Sequence, residues 1–222
     1  MKVSFLDPVT FSTTFAVFDL VAVFLFAMTG SIAAIRKKYD FVGTLILAFF
    51  SGVGGGLIRD AIFIQEGPPK AVTDSKYLIA IVAAFLLSLI FHVRLSKMTR
   101  TVKLVDALGL GTYGVVGAQA ALLAGLVPLA AILVGVFNAT GAGLIRDVLI
   151  REEPAIFKPG HYYGGAAFLG CGIFVALRYF INADETTAAL VAIGITFLLR
   201  VLSVRFDWRT KSILKAEEER LS

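Results

Sequence analysis

Seven apolar runs, each about as long as the hydrocarbon core of a bilayer is thick, divide this chain of 222 residues. A membrane-spanning helix needs about 20 predominantly apolar residues, and loops with polar residues separate these runs. The sequence therefore predicts an all-α polytopic membrane protein with seven transmembrane helices. The spans are expected at about 14–35, 42–64, 76–93, 104–123, 129–150, 164–181 and 186–205.

The composition excludes several other classes of protein. Apolar residues make up 58% of the chain and charged residues 17%, whereas charged residues are about a quarter of an average soluble domain. A chain this apolar is neither a water-soluble domain nor an intrinsically disordered one. Its pI of about 9.4 does not indicate a nucleic-acid partner. The basic residues are instead concentrated in the loops on one side of the predicted spans, as they are in membrane proteins.

Lysine and arginine predict the orientation of the spans, since loops rich in them stay in the cytoplasm. With seven spans, fourteen basic residues fall on one side and three on the other. The N-terminus is therefore expected outside and the C-terminus in the cytoplasm. The fourteen are Arg36, Lys37, Lys38, Arg94, Lys97, Arg100, Lys103, Arg151, Lys158, Arg205, Arg209, Lys211, Lys215 and Arg220, and the three are Lys2, Lys70 and Lys76.

An internal repeat relates spans 1–3 to spans 4–6. A shift of 87 residues places Asp19 on Asp106, and it places GGGLIRD at 54–60 on GAGLIRD at 141–147. Because three spans is an odd number, the second copy enters the membrane from the opposite side, as in many transport proteins. The predicted units are a first three-helix repeat at 14–93, an inverted repeat at 104–181, a seventh helix at 186–205 and a cytoplasmic tail at 206–222.

Glycines cluster near the middle of the second and fifth spans, as Gly54, Gly55 and Gly56 and as Gly141 and Gly143. Each glycine destabilises a helix by about 1 kcal/mol relative to alanine. We therefore expect these glycines to have a structural or functional role that offsets this cost. One interpretation is close packing of helices through small residues. The other is a kink or break that releases backbone carbonyls beside a water-filled path. The two interpretations are compatible.

Polar residues accompany these glycines. Ser51, Gly55 and Arg59 are spaced at i, i+4 and i+8, as are Asn138, Ala142 and Arg146, so each trio shares one helix face. The candidate pore residues beside the glycines are accordingly Ser51, Asn138 and Thr140.

Charged residues inside the spans form the second part of the candidate site. Ionisable groups within a membrane are costly and by default suggest function. The predicted topology places one cluster near the outer surface and the other near the inner surface. The alternative is that each aspartate of the first and fourth spans only neutralises an arginine as a structural lock. The clusters are Asp19, Arg59 and Asp60, and Asp106, Arg146 and Asp147.

Motifs of catalytic or metal sites are lacking in the sequence. There is a single cysteine, Cys171, no serine–histidine–aspartate set and no zinc-ligand spacing. The glycine-rich run at 54–60 follows no strand and has no phosphate-binding lysine. We therefore expect no enzyme, no catalytic residue, no metal and no cofactor.

The duplicated three-helix unit, the GGGLIRD and GAGLIRD pair and the seventh helix resemble the bacterial and archaeal trimeric intracellular cation channels, a family that overlaps one labelled as glycine transporters. The resemblance covers about residues 15–205. It implies a multi-pass protein of the prokaryotic plasma (inner) membrane and a homotrimer surrounded by membrane lipids. Each protomer would hold a pore permeable to potassium and more weakly to sodium.

The same resemblance implies that the second and fifth spans, kinked at their glycines, line the pore with help from the first and fourth. By motif match, the resemblance implies a role for Gly54, Gly55, Gly56, Arg59 and Asp60 in the first repeat and for Gly141, Gly143, Arg146 and Asp147 in the second. One departure concerns animal members, which carry a Lys-Glu-Val triplet and also a basic residue within the fourth helix, whereas the fourth span here has only Lys103 at its edge. This chain lacks that triplet, so voltage sensing and phosphoinositide binding of the animal kind are not expected.

Two functions remain open at the level of sequence. A passive monovalent-cation channel is favoured, because freed carbonyls and helix C-terminal dipoles suit a cation at the midplane. A secondary transporter for a small solute such as glycine is the alternative, because inverted repeats and broken helices also suit alternating access.

Overall fold

The computed structural model describes residues 12–65, 67–92 and 99–210. Several predictions fall outside this range: the last residue of the third span at 93, the basic residues Lys2, Arg94 and Lys97, and the tail beyond Thr210. Within it, the chain forms eight α-helices and one π-helical turn, with an isolated antiparallel bridge between His161 and Arg209. The predicted all-helical fold is therefore confirmed.

The helices follow the predicted apolar runs closely. They are α1 (Thr13–Arg36), α2 (Phe41–Ile58) with a π-helical turn (Arg59–Ile64), α3 (Lys70–Thr73), α4 (Ser75–Ile90), α5 (Thr99–Leu123), α6 (Pro128–Leu149), α7 (Gly164–Tyr179) and α8 (Glu185–Arg205). Four of these are long and apolar enough to cross a membrane: α1, α2 with its π-helical turn, α6 and α8. The helices α4 and α7 are apolar but shorter.

Polar residues of the loops set the helix ends. The carboxylate of Asp40 accepts a hydrogen bond of 2.7 Å from the backbone N–H of Gly43 and so caps the start of α2. Asp74 and Asp184 cap α4 and α8 in the same way. Lys38, which follows α1, adopts a left-handed conformation with a φ of 60°, and this conformation ends the helix.

Two local features were not predicted. The second span continues past its glycines as the π-helical turn, which ends at Gln65 in a left-handed conformation (φ 55°). Hydrogen bonds of the π type are rare, and they are frequent at functional sites. The short helix α3 also forms inside the segment that the sequence assigned to a loop.

Four helices, α1, α2, α5 and α6, form the centre of the molecule. The helix α4 packs against α1 and α2, α7 packs against α5 and α6, and α8 packs against α5 and α7. Large apolar side chains such as Ile79, Ile90 and Leu129 lie on the outside, exposed by 66%, 72% and 64%. Such exposure suits lipid contact and would be costly in water. The predicted charge clusters lie within the central four-helix region.

Candidate functional site

The first charge cluster joins α1 to the π-helical turn. Nη1 of Arg59 lies 3.4 Å from Oδ2 of Asp19, and its Nε lies 2.6 Å from Oδ1 of Asp60. The hydroxyl of Tyr77, in α4, donates a hydrogen bond of 2.7 Å to the same oxygen of Asp19. Arg59 and Asp19 are fully buried. The predicted pairing of arginine with aspartate is present here, together with a tyrosine that the sequence analysis missed.

The second cluster repeats this arrangement between α5 and α6. Nη1 of Arg146 lies 3.1 Å from Oδ1 of Asp106, and its Nε lies 2.9 Å from Oδ1 of Asp147. Nη1 also donates to the hydroxyl of Thr29 at 3.1 Å, which ties the cluster to α1. Each cluster therefore contains one guanidinium and two carboxylates. The six charged residues predicted from the sequence come together as two sets of three.

The second aspartate of each cluster also fixes the loop that follows. Oδ2 of Asp60 accepts a hydrogen bond of 3.2 Å from the backbone N–H of Lys70. Oδ2 of Asp147 accepts one of the same length from the N–H of Ala155. One carboxylate thus holds both its neighbouring arginine and a distant backbone group, and this role gives a structural reason for the Arg-Asp pair in each repeat.

A cavity of about 420 Å³ opens beside the second cluster. Its inner wall includes Asp106, Arg146, Tyr163 and Arg200, and the guanidinium of Arg200 lies 4.9 Å from the ring centroid of Tyr163. Basic residues that line the same cavity are Arg36, Lys37, Lys103 and Lys158. The cavity gives the second cluster a route to water, and its basic lining belongs to the loops that the sequence places in the cytoplasm.

One ion pair spans the loops beside this cavity. Nζ of Lys37, after α1, lies 2.7 Å from Oε1 of Glu152, after α6. This hydrogen bond holds the pKa of Glu152 below its ordinary value. The pair connects the first half of the chain to the second at the edge of the cavity.

The glycines lie where α2 crosses α6. A methyl group on Gly54 would lie 2.9 Å from Cδ1 of Ile145, and one on Gly141 would lie 2.6 Å from Cδ1 of Ile58. The shift of 87 residues places Gly54 on Gly141 and Ile58 on Ile145. The contacts are therefore reciprocal, as they are across a two-fold axis.

Helix α2 comes even closer to α6 at Gly55. A methyl group on Gly55 would overlap the backbone carbonyl oxygen of Asn138. Both helices are continuous through their glycines, and neither breaks at that depth. The packing interpretation therefore accounts for Gly54, Gly55 and Gly141 in this structure, and a kink that lines a pore stays a prediction.

The remaining glycines lie beside the arginines. A methyl group on Gly56 would lie 3.7 Å from Nη2 of Arg59, and one on Gly143 would lie 3.7 Å from Nη2 of Arg146. The methyl group on Gly143 would also come within 2.8 Å of the hydroxyl of Tyr163. The distances to the guanidinium groups are ordinary van der Waals contacts, so the arginines do not require glycine at these positions, whereas the hydroxyl of Tyr163 does require a small residue at Gly143.

The polar residues near the midplane are buried between helices. Ser51 packs against Gly30 of α1, and Asn138 packs against Gly117 of α5, again a pair of equivalent contacts. Neither Oγ of Ser51 nor Oδ1 of Asn138 has a hydrogen-bond partner among the described residues. The hydroxyl of Thr140 donates to the carbonyl of Val136 within its own helix. All three predicted candidates are thus away from solvent.

Tyr113 of α5 was missed by the sequence analysis, although it lies between the two clusters. Its hydroxyl donates a hydrogen bond of 2.5 Å to the carbonyl of Gly52, and its own carbonyl accepts one of 2.6 Å from Nδ2 of Asn138. Its ring stacks on Phe26 with centroids 5.4 Å apart. The internal repeat could have identified this residue, because the 87-residue shift places the aromatic residue Phe26 on Tyr113.

Similarity to known sequences covers most of the chain. The family model described as Glycine transporter matches residues 16–93 and 103–179. A UPF0126 membrane protein of Deinococcus radiodurans is 37% identical over 155 residues, which are 69% of this chain and 72% of that protein. The UPF0126 inner membrane protein YadS of Escherichia coli is 30% identical over 194 residues, which are 87% of this chain and 92% of that protein.

Similarity to solved structures is equally broad. The TRIC trimeric intracellular cation channel orthologue from Rhodobacter sphaeroides matches with a TM-score of 0.83 and 33% identity, over 88% of this chain and 99% of that one. A prokaryotic TRIC channel solved in 0.5 M KCl matches with a TM-score of 0.79 and 27% identity, over 88% and 98% of the two chains. These solved proteins are ion channels and not enzymes, which agrees with the expectation for this chain.

Proposed function

This chain belongs to the family of prokaryotic trimeric intracellular cation channels, which overlaps the family described as Glycine transporter, and from this premise we propose that it is a monovalent-cation channel permeable to potassium. The likeness to solved cation channels over nearly nine-tenths of the chain carries the proposal. The apolar helices and the inner membrane relatives make it a multi-pass protein of the bacterial inner membrane.

The proposed ion path runs within each protomer, between the two charge clusters. Each cluster has two carboxylates for one guanidinium, so each cluster itself carries an excess of negative charge, which favours a cation over an anion. The basic residues that line the cavity beside the second cluster oppose this preference at that end of the path. The lining would come from α2 and α6, with help from α1 and α5. The midplane is closed in this structure, because Ser51 and Asn138 are fully buried there.

Opening of this path would require α2 and α6 to bend or move apart at their glycines. The π-helical turn at Arg59–Ile64 supports a bend, since it begins three residues after Gly56 and π-bulges are a common cause of helix kinks. A bend would separate the reciprocal glycine contacts and turn backbone carbonyls towards the path.

The inverted repeat and the seven-span topology belong to the same proposal. Three sets of equivalent contacts support the repeat: the two charge clusters, the crossing of Gly54 and Gly141, and the packing of Ser51 and Asn138 against glycines. The helices α5 and α7 would supply the fourth and sixth spans. The N-terminus would then be outside and the C-terminus in the cytoplasm, on the side of the basic cavity.

A homotrimer is proposed as the assembled state, because the Rhodobacter sphaeroides channel is described as trimeric. Each protomer would be surrounded by membrane lipid and by its two neighbours. No cofactor and no nucleic acid enters the proposal; the only small ligand is the transported potassium ion, with sodium passing more weakly.

A secondary transporter for glycine or a similar solute is not favoured, because the matching solved structures are cation channels. Single-channel recording separates the two functions. The purified protein in a planar bilayer should give discrete unitary currents in KCl, and the reversal potential under opposed KCl and NaCl should favour potassium. Protein-free vesicles fused with the same bilayer serve as the control. Saturable uptake with counterflow, without unitary currents, would overturn the channel proposal.

A further inference from the structure

The side chain of Tyr113 lies where the four central helices meet. Its ring stacks on Phe26 of α1, with an interplanar angle of 22°. Its hydroxyl reaches the carbonyl of Gly52 in α2, and the amide of Asn138 in α6 holds its backbone carbonyl. Tyr113 itself is only 1% exposed. One residue of α5 therefore contacts all three of the other central helices.

The position of this contact is midway between the charge clusters. Seven residues of α5 separate Tyr113 from Asp106 of the second cluster, and seven residues of α2 separate Gly52 from Arg59 of the first. At a rise of about 1.5 Å per residue, the hydrogen bond lies roughly 10 Å along the helix from either cluster. A cation that passes from one cluster to the other has to pass this level.

The internal repeat separates the role of the ring from that of the hydroxyl. Phe26 and Tyr113 occupy equivalent positions, and they stack on each other as a pair related by the repeat would. An aromatic ring is therefore what packing requires at both positions. Only Tyr113 has a hydroxyl, and that hydroxyl forms a hydrogen bond across α5 and α2. Packing alone gives no reason for it.

We propose that Tyr113 is the gate of the ion path, with its ring filling the midplane and its hydroxyl holding α5 against α2 in the closed state. Loss of the hydrogen bond frees one of the two lone pairs on the carbonyl oxygen of Gly52, whereas the other still accepts the helical hydrogen bond within α2. A backbone carbonyl is a good partner for a partly dehydrated potassium ion, so the same movement opens the path and supplies a ligand. This inference rests on the proposed channel function and specifies the residue that controls it.

Replacement of the hydroxyl alone tests the gate. Tyr113→Phe keeps the aromatic ring that packing requires. The carbonyl of Gly52 is not left without a partner, because it also accepts a helical hydrogen bond within α2. The variant should therefore fold. Its open probability in single-channel recordings should rise several-fold over that of the parent chain. Tyr39→Phe is the matched control, because it removes a hydroxyl that donates to a carbonyl at an exposed site, that of Leu149. The control should leave the open probability unchanged.

A second variant tests the same idea through the repeat. Phe26→Tyr combined with Tyr113→Phe moves the hydroxyl to the equivalent position, where the counterpart of Gly52 is Ala139. The open probability should return towards that of the parent chain. This double variant also serves if Tyr113→Phe alone folds poorly, since the moved hydroxyl is placed to donate to the carbonyl of Ala139 and so to replace the lost hydrogen bond.

The outcomes distinguish this inference from the channel proposal. If the parent chain gives unitary currents and Tyr113→Phe opens no more often, Tyr113 is a packing residue and the gate is wrong. If Tyr113→Phe only lowers the melting temperature, the same conclusion holds. If neither the parent chain nor Tyr113→Phe gives unitary currents, the channel proposal fails and the gate fails with it.

Discussion

The side chain of Arg146 is 15% exposed, whereas that of Arg59, its equivalent in the first repeat, is 2% exposed. Both form the same two ion pairs with aspartates. The difference arises because Arg146 borders the 420 Å³ cavity, and because the first cluster is closed by Tyr77, which donates to Asp19. The two clusters therefore share chemistry but differ in their access to water.

Replacement of these arginines should affect stability unequally. Arg59→Ala leaves Asp19 buried without its cation, and breaking a buried pair in this way costs about 3–5 kcal/mol. Arg146→Ala should cost less, because water in the cavity can solvate Asp106. Thermal unfolding in detergent, followed by the amount of monodisperse protein, measures both. Equal losses in the two variants would contradict the difference in solvation.

Removal of both charges of the Asp19–Arg59 pair tests whether the loss of stability comes from the unpaired aspartate. Arg59→Met with Asp19→Leu replaces the buried ion pair by apolar groups, which is often neutral for stability. Folding should be partly restored relative to Arg59→Ala. The recovery should be incomplete, because Asp60 loses its partner at 2.6 Å and Tyr77 loses its acceptor. Addition of Tyr77→Phe should increase the recovery of folding further, because it removes the hydroxyl that has lost its acceptor.

The glycines give a second prediction. Gly55→Ala places a methyl group on the backbone carbonyl of Asn138, and backbone atoms cannot move as side chains do. Overpacking of this kind costs about 1–3 kcal/mol. Gly172→Ala is the control, because a methyl group there meets no atom within 4 Å. The control should be neutral or slightly stabilising in thermal unfolding, whereas a similar result for Gly55→Ala would refute the close crossing.

Potassium flux then separates packing from bending. Gly55→Ala combined with Gly141→Ala should lower flux in proteoliposomes by more than the loss of folded protein, if α2 and α6 bend at these positions to open the path. Flux per folded molecule is the quantity to compare. Normal flux per folded molecule would leave packing as the only role of the glycines.

Much of this fold could be predicted because its determinants follow from the types of residue present. The break between α1 and α2 needs only the polar run at 36–40, and Asp40 caps the next helix as a short polar side chain at that position should. The pairing of Asp19 with Arg59 followed from the cost of leaving either charge alone in a membrane. Such requirements act on residue type and spacing, so they can be read from one sequence.

Other features could not be predicted, because they depend on partners far along the chain. The hydroxyl of Tyr77 reaches Asp19 across 58 residues, and that of Tyr113 reaches Gly52 across 61. A tyrosine in an apolar run is ordinary until its partner is known. The π-helical turn was not predictable from the charge cluster either, because Arg146 forms the equivalent two ion pairs from within a regular α-helix.

Topology is the third prediction, and it rests on the division of basic residues. Reporter fusions after Lys38 and after Ser222 should both be active in the cytoplasm, since these positions lie on the side with fourteen basic residues. A fusion after Gly67, in the loop between the second and third spans, should be active in the periplasm. A periplasmic result from either of the first two would refute the seven-span arrangement.

Assembly is the fourth prediction. Light scattering on the detergent-solubilised protein, corrected for bound detergent, should give three times the chain mass of 23.8 kDa. The same mass should be found in several mild detergents. A monomer in all of them would count against the trimer.

The ion pair between Lys37 and Glu152 gives the last prediction. The pKa of Glu152 is lowered by its hydrogen bond to Lys37, so the pair stabilises the fold above the ordinary pKa of a glutamate, about 4.3, and this stabilisation is lost as the pH falls through the lowered pKa. Glu152→Gln should therefore lower the melting temperature slightly at pH 7. Because the pair is exposed, the effect should be below about 1 kcal/mol and should shrink in high salt. Glu153→Gln makes the same change in charge, but Glu153 is 4.0 Å from Lys158, and this variant should match the parent chain. If the two variants lose stability equally, or if the loss in Glu152→Gln does not shrink as the pH is lowered, the ion pair does not hold these loops together.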